Sequence, residues 1–361
     1  MLNPFTPSFG RIPPILAGRD FILNDIEQAL ANGGGDPNLC TLYVGPRGMG
    51  KTALMHYIAK TAGEFGWVSA STTASPGMLE DLFEQAIQAS NQFVTQAGDV
   101  RIKSVGIGVL FSAEWEYRDP ASGNWRTRMG KLLNQLGEQG IGLLMTVDEV
   151  KADIDELVQL VAVFQHFIGE GKKVALLMAG LPNYVSALVS HDSISFLRRA
   201  IRQRLELVSD EDVSLAMRET VEDSGKAIGD EALRMMVRAT GGFPYMMQLV
   251  GFRAWQASKE SGTISKKNVQ DGIARARVDF KNGVLEASFN GLSAQDRVFL
   301  LAMLKDEDAS TLADIAQRMG RETGYARTYK ERLVSQGLIR ECQRGVVTFS
   351  MPYLREYLEE L

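Results

Sequence analysis

A chain of 361 residues is long enough for two or three domains, each with a sizeable core. With 45% hydrophobic and 23% charged residues it falls among globular proteins, which excludes disordered and fibrous classes, and its net charge of −5 excludes coating nucleic acid by bulk positive charge, though not by a local patch. Two distant cysteines (Cys40 and Cys342) and three scattered histidines (His56, His166 and His191) exclude a disulfide framework and argue against a zinc centre.

In chain order, residues 1–18 are punctuated by proline and are expected to wrap a surface; they lack the pattern of a signal peptide. Residues 32–37 carry the Gly and Pro chemistry of a loop. Short apolar runs at Leu39–Val44, Gly66–Ala70, Ile141–Val147 and Val174–Ala179 then alternate with helical stretches. In the helix expected at Asp153–Ile168, residues Ile154, Leu157, Val158, Val161, Phe164 and Ile168 form one stripe. Apolar strands alternating with helices predict a parallel sheet covered on both faces. Residues 99–119, where Val100–Tyr117 alternate around Gly106 and Gly108, read as an inserted hairpin or loop. A fifth strand is expected at Leu205–Leu207, after which strands stop and residues 210–291 are helical, with breaks at Gly225, Gly241-Gly242 and Gly262.

The last 71 residues, 291–361, read as a separate module. Ser293, Ser310 and Thr323 are expected to cap three helices, the second at Thr311–Met319 and the third at Gly324–Gln336, closed by Gly337. Leu338–Arg340 and Val346–Ser350 then flank Gln343-Arg344-Gly345, a hairpin signal. Three helices followed by a hairpin is the winged-helix order. No internal repeat and no run of ~18 apolar residues interrupts this plan.

Gly45-Pro46-Arg47-Gly48-Met49-Gly50-Lys51-Thr52-Ala53 contains the full G-x-x-x-x-G-K-[ST] pattern between an apolar strand and a helix. Its glycines let successive backbone N–H groups turn inward around phosphates, and the following helix adds its positive end. Lys51 would supply a point charge to the β- and γ-phosphates, and Thr52 a hydroxyl for Mg²⁺. Further on, the strand Leu143–Val147 delivers Asp148 and Glu149 at its C-terminal end, where ligands bind in open α/β sheets. Asp148 would orient Mg²⁺ and Glu149 would polarise an attacking water; the plain alternative is an acidic pair capping a strand.

With these motifs in this order, the chain resembles AAA+ and STAND-type P-loop ATPases, among them the origin-recognition-like and archaeal-ATPase groups. The resemblance spans nearly the whole chain. It implies an α/β P-loop NTPase sheet with helices on both faces (1–207), an α-helical lid (208–290) and a winged-helix domain (291–361). It implies ATP or ADP with Mg²⁺ as ligands and ATP hydrolysis as the activity. Gly18-Arg19 resembles the element lining the adenine pocket. Asn183 stands where the family keeps a polar γ-phosphate sensor, although Leu181-Pro182 before it departs from the initiator pattern. Gly241-Gly242-Phe243-Pro244 is similar to the Gly-x-Pro element of STAND lids, in which Pro244 would touch nucleotide. Initiators place an arginine in this lid helix to touch the γ-phosphate; the nearest one in it here is Arg253, about two and a half turns beyond Pro244. Arg198 or Arg199 fits an arginine finger reaching a neighbouring subunit, which would imply a homo-oligomer; Arg202 and Arg204 share the same helix, and the alternative is a solvated basic face.

In a winged helix the third helix enters the major groove and the wing touches the backbone. Residues 321–344 hold six basic and three acidic residues, whereas 291–361 as a whole hold ten and eleven. Arg321, Arg327, Lys330 and Arg344 are the candidate contacts to double-stranded DNA. The expectation is a cytoplasmic ATPase that switches its lid and winged helix, on DNA. The alternative is a nucleotide-gated signalling or scaffold switch whose winged helix binds protein; a metabolic kinase lacks an evident phosphoacceptor site.

Overall fold

The structure, a computed structural model, describes residues 2–8, 10–97 and 124–361, so the expected insertion at 99–119 lies outside the described residues. Two compact units are formed: Phe21–Val44 with Leu54–Arg204, and Met1–Asp20 with Gly45–Ala53 and Leu205–Leu361.

The first unit is built on α1 (Asp20–Asn32), β1 (Cys40–Val44), α2 (Lys51–Thr61), β2 (Trp67–Thr73), α3 (Met78–Ala97), α4 (Trp125–Glu138), β3 (Gly142–Asp148), α5 (Asp155–Gly169), β4 (Val174–Gly180), α6 (Pro182–Val189) and β5 (Ile201–Arg204). The five strands are parallel in the order β2-β3-β4-β1-β5. Side chains alternate across a strand, so each face needs its own cover. On one face Leu42, Val68, Leu143, Met145 and Leu176 join a core with Phe83, Leu132 and Phe164. On the other, Tyr43, Leu144, Thr146 and Leu177 are buried as well, and the Trp67 indole donates to the Leu30 carbonyl of α1 at 2.8 Å. Burial on both faces explains why these strands are unbroken apolar runs.

The second unit adds four helices, α7 (Asp210–Asp223), α8 (Asp230–Thr240), α9 (Pro244–Ser258) and α10 (Lys266–Phe280). Gly272 lets α10 approach α9 closely, since a Cβ there would stand 2.6 Å from the Ala254 nitrogen. The proline-rich N-terminus lies on α9, with Phe5 against Gly251 and the Thr6 amide donating to Gln248 at 2.9 Å. A π-helical turn at Lys281–Leu285 and α11 (Glu286–Asn290) lead to α12 (Ala294–Met303), α13 (Leu312–Arg318), α14 (Thr323–Ser335) and the hairpin β9 (Ile339–Gln343)–β10 (Val346–Phe349), then α15 (Leu354–Glu359). Arg332 of α14 reaches the buried Asp296 of α12 with Nε and Nη2 at 2.9 and 2.6 Å, tying the two helices together.

The structure departs from the sequence expectations at several places. The fifth strand is Ile201–Arg204, not Leu205–Leu207, so Arg202 and Arg204 sit on the edge strand and not on a helix. On α5, Ile168 is half exposed, and the buried face instead includes Leu160, Val163 and Phe167. Strands do not stop after residue 207: β6 (Ala227–Ile228) and β7 (Thr263–Ile264) form a short parallel pair. Ser310 pairs with Val347 in strand β8 (Ser310–Thr311), and Thr311 caps α13 instead. Helix α14 begins at Thr323 behind Glu322, without a side-chain cap.

Candidate nucleotide-binding site

The phosphate loop connects β1 to α2. Gly48 and Gly50 have φ of +79° and +80°, the left-handed conformation that only glycine adopts without strain and that turns backbone N–H groups to one side. Met49 is buried and anchors the loop, whereas Arg47 is exposed. The Lys51 ammonium donates to the carbonyls of Gly45 and Pro46 at 2.8 and 2.7 Å, which arches its side chain back over the loop. Lys51, Thr52 and Ala53 form the first turn of α2, where the helix dipole favours an anion.

The element around Gly242 closes on this loop. The Tyr245 amide donates to the Gly48 carbonyl at 3.2 Å, and a Cβ on Gly50 would meet Pro244 at 3.9 Å. The Gly242 carbonyl, on a residue with φ +72°, accepts from the Val208 amide at 2.8 Å, and a Cβ at Gly242 would collide with the Val208 carbonyl oxygen. Pro244 occupies the first turn of α9, where its missing N–H forfeits no intrahelical hydrogen bond.

Arg19 is buried, and its guanidinium donates to the carbonyls of Glu206 and Gly18 at 2.9 and 3.3 Å. Burial lowers its pKa, with Asp212 and Glu206 acting in the opposite direction. In this conformation Arg19 staples the segment after β5. Gly18, at φ +63°, fits beneath Val208 and Asp212. Arg253 is committed between α9 and α10: its Nε donates to Asp279 at 2.6 Å.

In the sheet unit, β1 and β3 run parallel with β4 between them, so Val44, which precedes the loop, and Asp148 emerge at the same edge, about 10 Å apart across two strand spacings. Asp148 Oδ1 accepts from the Glu149 amide at 2.8 Å. Glu149 is exposed and has φ +52°, a left-handed conformation that costs a non-glycine residue about 1–2 kcal/mol. That kink separates the Glu149 side chain from the strand's alternation, and nothing in the sequence pattern announces it. Asn183 is exposed in the first turn of α6; Arg198 and Arg199 are exposed at the end of a 3-10 turn, Asp192–Arg199.

On the C-terminal module, Arg321 lies over the Tyr325 ring at 5.2 Å, and Arg327 and Arg344 are exposed. Lys330 instead pairs with Glu341 of β9 at 2.9 Å. Glu341 also accepts the Gly345 amide at 2.7 Å; this bond first, then Lys330, lowers its pKa. Lys330 thus braces the hairpin that carries Arg344. No helix of the described residues is long and apolar enough to cross a membrane.

Residues 282–358 match a family described as a domain of unknown function, DUF8462. No match is found among curated proteins. Solved structures similar to the chain include the ORC2 protein of Aeropyrum pernix in ADPNP–ADP complexes (14% identity, 98% of this chain and 96% of that one, TM-score 0.67). Others are the Walker-type ATPase paby2304 of Pyrococcus abyssi (13%, 95% and 96%, TM-score 0.69) and Cdc6p of Pyrobaculum aerophilum (14%, 98% and 96%, TM-score 0.52). The chain has the fold of the origin-recognition-like AAA+ P-loop ATPases.

Proposed function

We propose that the protein is a Mg²⁺-dependent ATPase in which nucleotide switches the lid (208–290) and a winged helix (291–361) that binds double-stranded DNA. The observation that carries the nucleotide reading is the phosphate loop: two left-handed glycines, an arched Lys51 and a helix opening directly behind them. The Thr52 hydroxyl and Asp148 carboxylate are hard oxygen donors of the kind Mg²⁺ takes beside substrate phosphates, so the residues fit that ion. When bound, Mg²⁺ would neutralise charge on the β- and γ-phosphates.

The chain's own residues divide the work. Backbone N–H groups of Gly48, Met49 and Gly50 and the dipole of α2 hold phosphate; Lys51 turns from its carbonyls to the phosphates. Glu149 takes the proton of the water that attacks the γ-phosphate, and Asn183 and an arginine, Arg198 or Arg199 of a neighbouring copy, supply charge stabilisation. With Arg253 paired to Asp279, that arginine is not offered to nucleotide, in keeping with slow turnover and nucleotide used as a switch. Arg321, Arg327 and Arg344 are the DNA contacts, with Lys330 as a brace. Titration of the full chain with MgATP and duplex DNA tests the reading; binding of neither ligand overturns it.

A second reading, a nucleotide-gated switch whose winged helix binds protein, is favoured by one observation: Lys330 and Arg332 are spent on internal pairs, which thins the basic patch. DNA-independent turnover would select it.

A further inference from the structure

One contact of the phosphate loop belongs neither to its motif nor to the lid. Gly337, which closes α14 at φ +72°, packs on Pro46 so closely that a Cβ at Gly337 would overlap Cβ and Cγ of the proline ring. Gly337 has little room to recoil. Its amide donates to the Val334 carbonyl at 3.0 Å, and its carbonyl accepts from the Ser350 hydroxyl at 2.7 Å. On the other side of the contact, the Pro46 carbonyl accepts from Lys51 at 2.7 Å. A hydrogen bond, a ring contact and a second hydrogen bond therefore run from the phosphate-loop lysine into the C-terminal module.

The helix that ends at Gly337 begins beside Arg321 and carries Arg327 in its second turn. Thirteen residues of helix span about 20 Å, so a single rigid element has the phosphate loop at one end and the basic surface at the other. When Lys51 moves from the Pro46 carbonyl to a phosphate, the Pro46 peptide gives up that hydrogen bond, and the ring lying on Gly337 is the part free to follow. A packed contact of this kind has two arrangements and not a continuum.

We infer that α14 is a positioning element for the phosphate loop, and that the Pro46–Gly337 contact couples nucleoside triphosphate at the loop to DNA at the other end of the helix, which rests on the function proposed above. Linkage makes the coupling reciprocal: DNA changes the affinity for MgATP by the same factor as MgATP changes the affinity for DNA. The contact bypasses the lid, so its loss leaves the Tyr245–Gly48 bond in place.

The experiment measures Kd for MgATP in full-length protein carrying Glu149→Gln, with and without saturating duplex DNA. The parent should show a change of about fivefold or more, the lower end of ordinary coupling. Gly337→Asn keeps a residue that tolerates the left-handed conformation but places a Cβ on Pro46. It should bring the ratio to within about twofold of one while each ligand alone still binds. Pro46→Gly combined with Gly337→Asn puts the new side chain where the proline ring lay, so the contact is remade from the other side and the coupling should return. If Gly337→Asn does not fold, Pro46→Gly alone removes the ring and should lose the coupling. An uncoupled parent, or Gly337→Asn coupled as strongly as the parent, overturns the inference. A parent that binds no MgATP or no DNA in the single-ligand titrations overturns the functional reading, and the inference with it.

Discussion

Gly48 and Phe243 are shaped to each other: a Cβ on Gly48 would stand 2.5 Å from the Phe243 ring, which lies edge-on to Phe280 at 5.7 Å. The apex of the phosphate loop is therefore packed against the start of α9 and, through Phe243, linked to Phe280, the residue that precedes the π-helical turn. A π-helical turn in a helix often marks a functional site. Gly48 is thus required for space as well as for its φ of +79°. Gly48→Ala should lose nucleotide binding even in a folded protein, and an unchanged MgATP affinity in that variant would remove the packing argument.

Lys51→Ala should abolish MgATP binding without unfolding the chain, because Lys51 is only partly buried and its bonds to Gly45 and Pro46 stay within the loop. Equilibrium titration checks this, with circular dichroism as the control for folding.

Glu149→Gln should bind MgATP but lower kcat by about 10²-fold or more, the usual scale for losing a general base. Single-turnover hydrolysis is the measurement; an unchanged rate assigns the base elsewhere.

Arg327→Ala with Arg344→Ala should flatten the salt dependence of duplex-DNA binding by about two in log–log slope, one phosphate contact each. Lys330 makes a different prediction. If it braces the hairpin, Glu341→Gln should weaken DNA binding although it removes a negative charge. If Lys330 contacts phosphate directly, the same variant should strengthen binding. Affinities at two salt concentrations separate the two.

Asp306 is held down to about 2 by its hydrogen bonds to Arg318 and Ser310. A carboxylate whose pKa is depressed on folding contributes stability above its unfolded value, near 4, and loses it as pH falls towards 2. Asp306→Asn should lower the Tm at neutral pH by about 2–4 °C and flatten the acid limb of stability between those values. Melting curves across that range check the sign.

The parts of this molecule that are legible in the sequence are those with a period or a fixed spacing. The strands of the sheet are buried on both faces and so read as apolar runs, and the phosphate loop is recognisable because its glycines, lysine and threonine stand at fixed intervals. Strand β5 escapes sequence reasoning for a physical reason: an edge strand exposes Arg202 and Arg204, whereas the two leucines of Leu205-Glu206-Leu207 lie beyond the sheet. The left-handed Glu149, the Lys330–Glu341 pair and the seating of Pro46 on Gly337 depend on tertiary placement, and no local pattern encodes them. Arg19 shows the same limit, since a Gly-Arg pair gives no sign that its guanidinium turns inward to Glu206.

The central claim is a nucleotide switch coupled to DNA. Steady-state ATP hydrolysis with and without double-stranded DNA across a salt series, with Glu149→Gln as the blank, tests it most directly. Slow basal turnover that DNA stimulates is expected, with the stimulation fading as salt rises. Turnover indifferent to DNA at every salt concentration would contradict the claim and point to a protein partner for the C-terminal module.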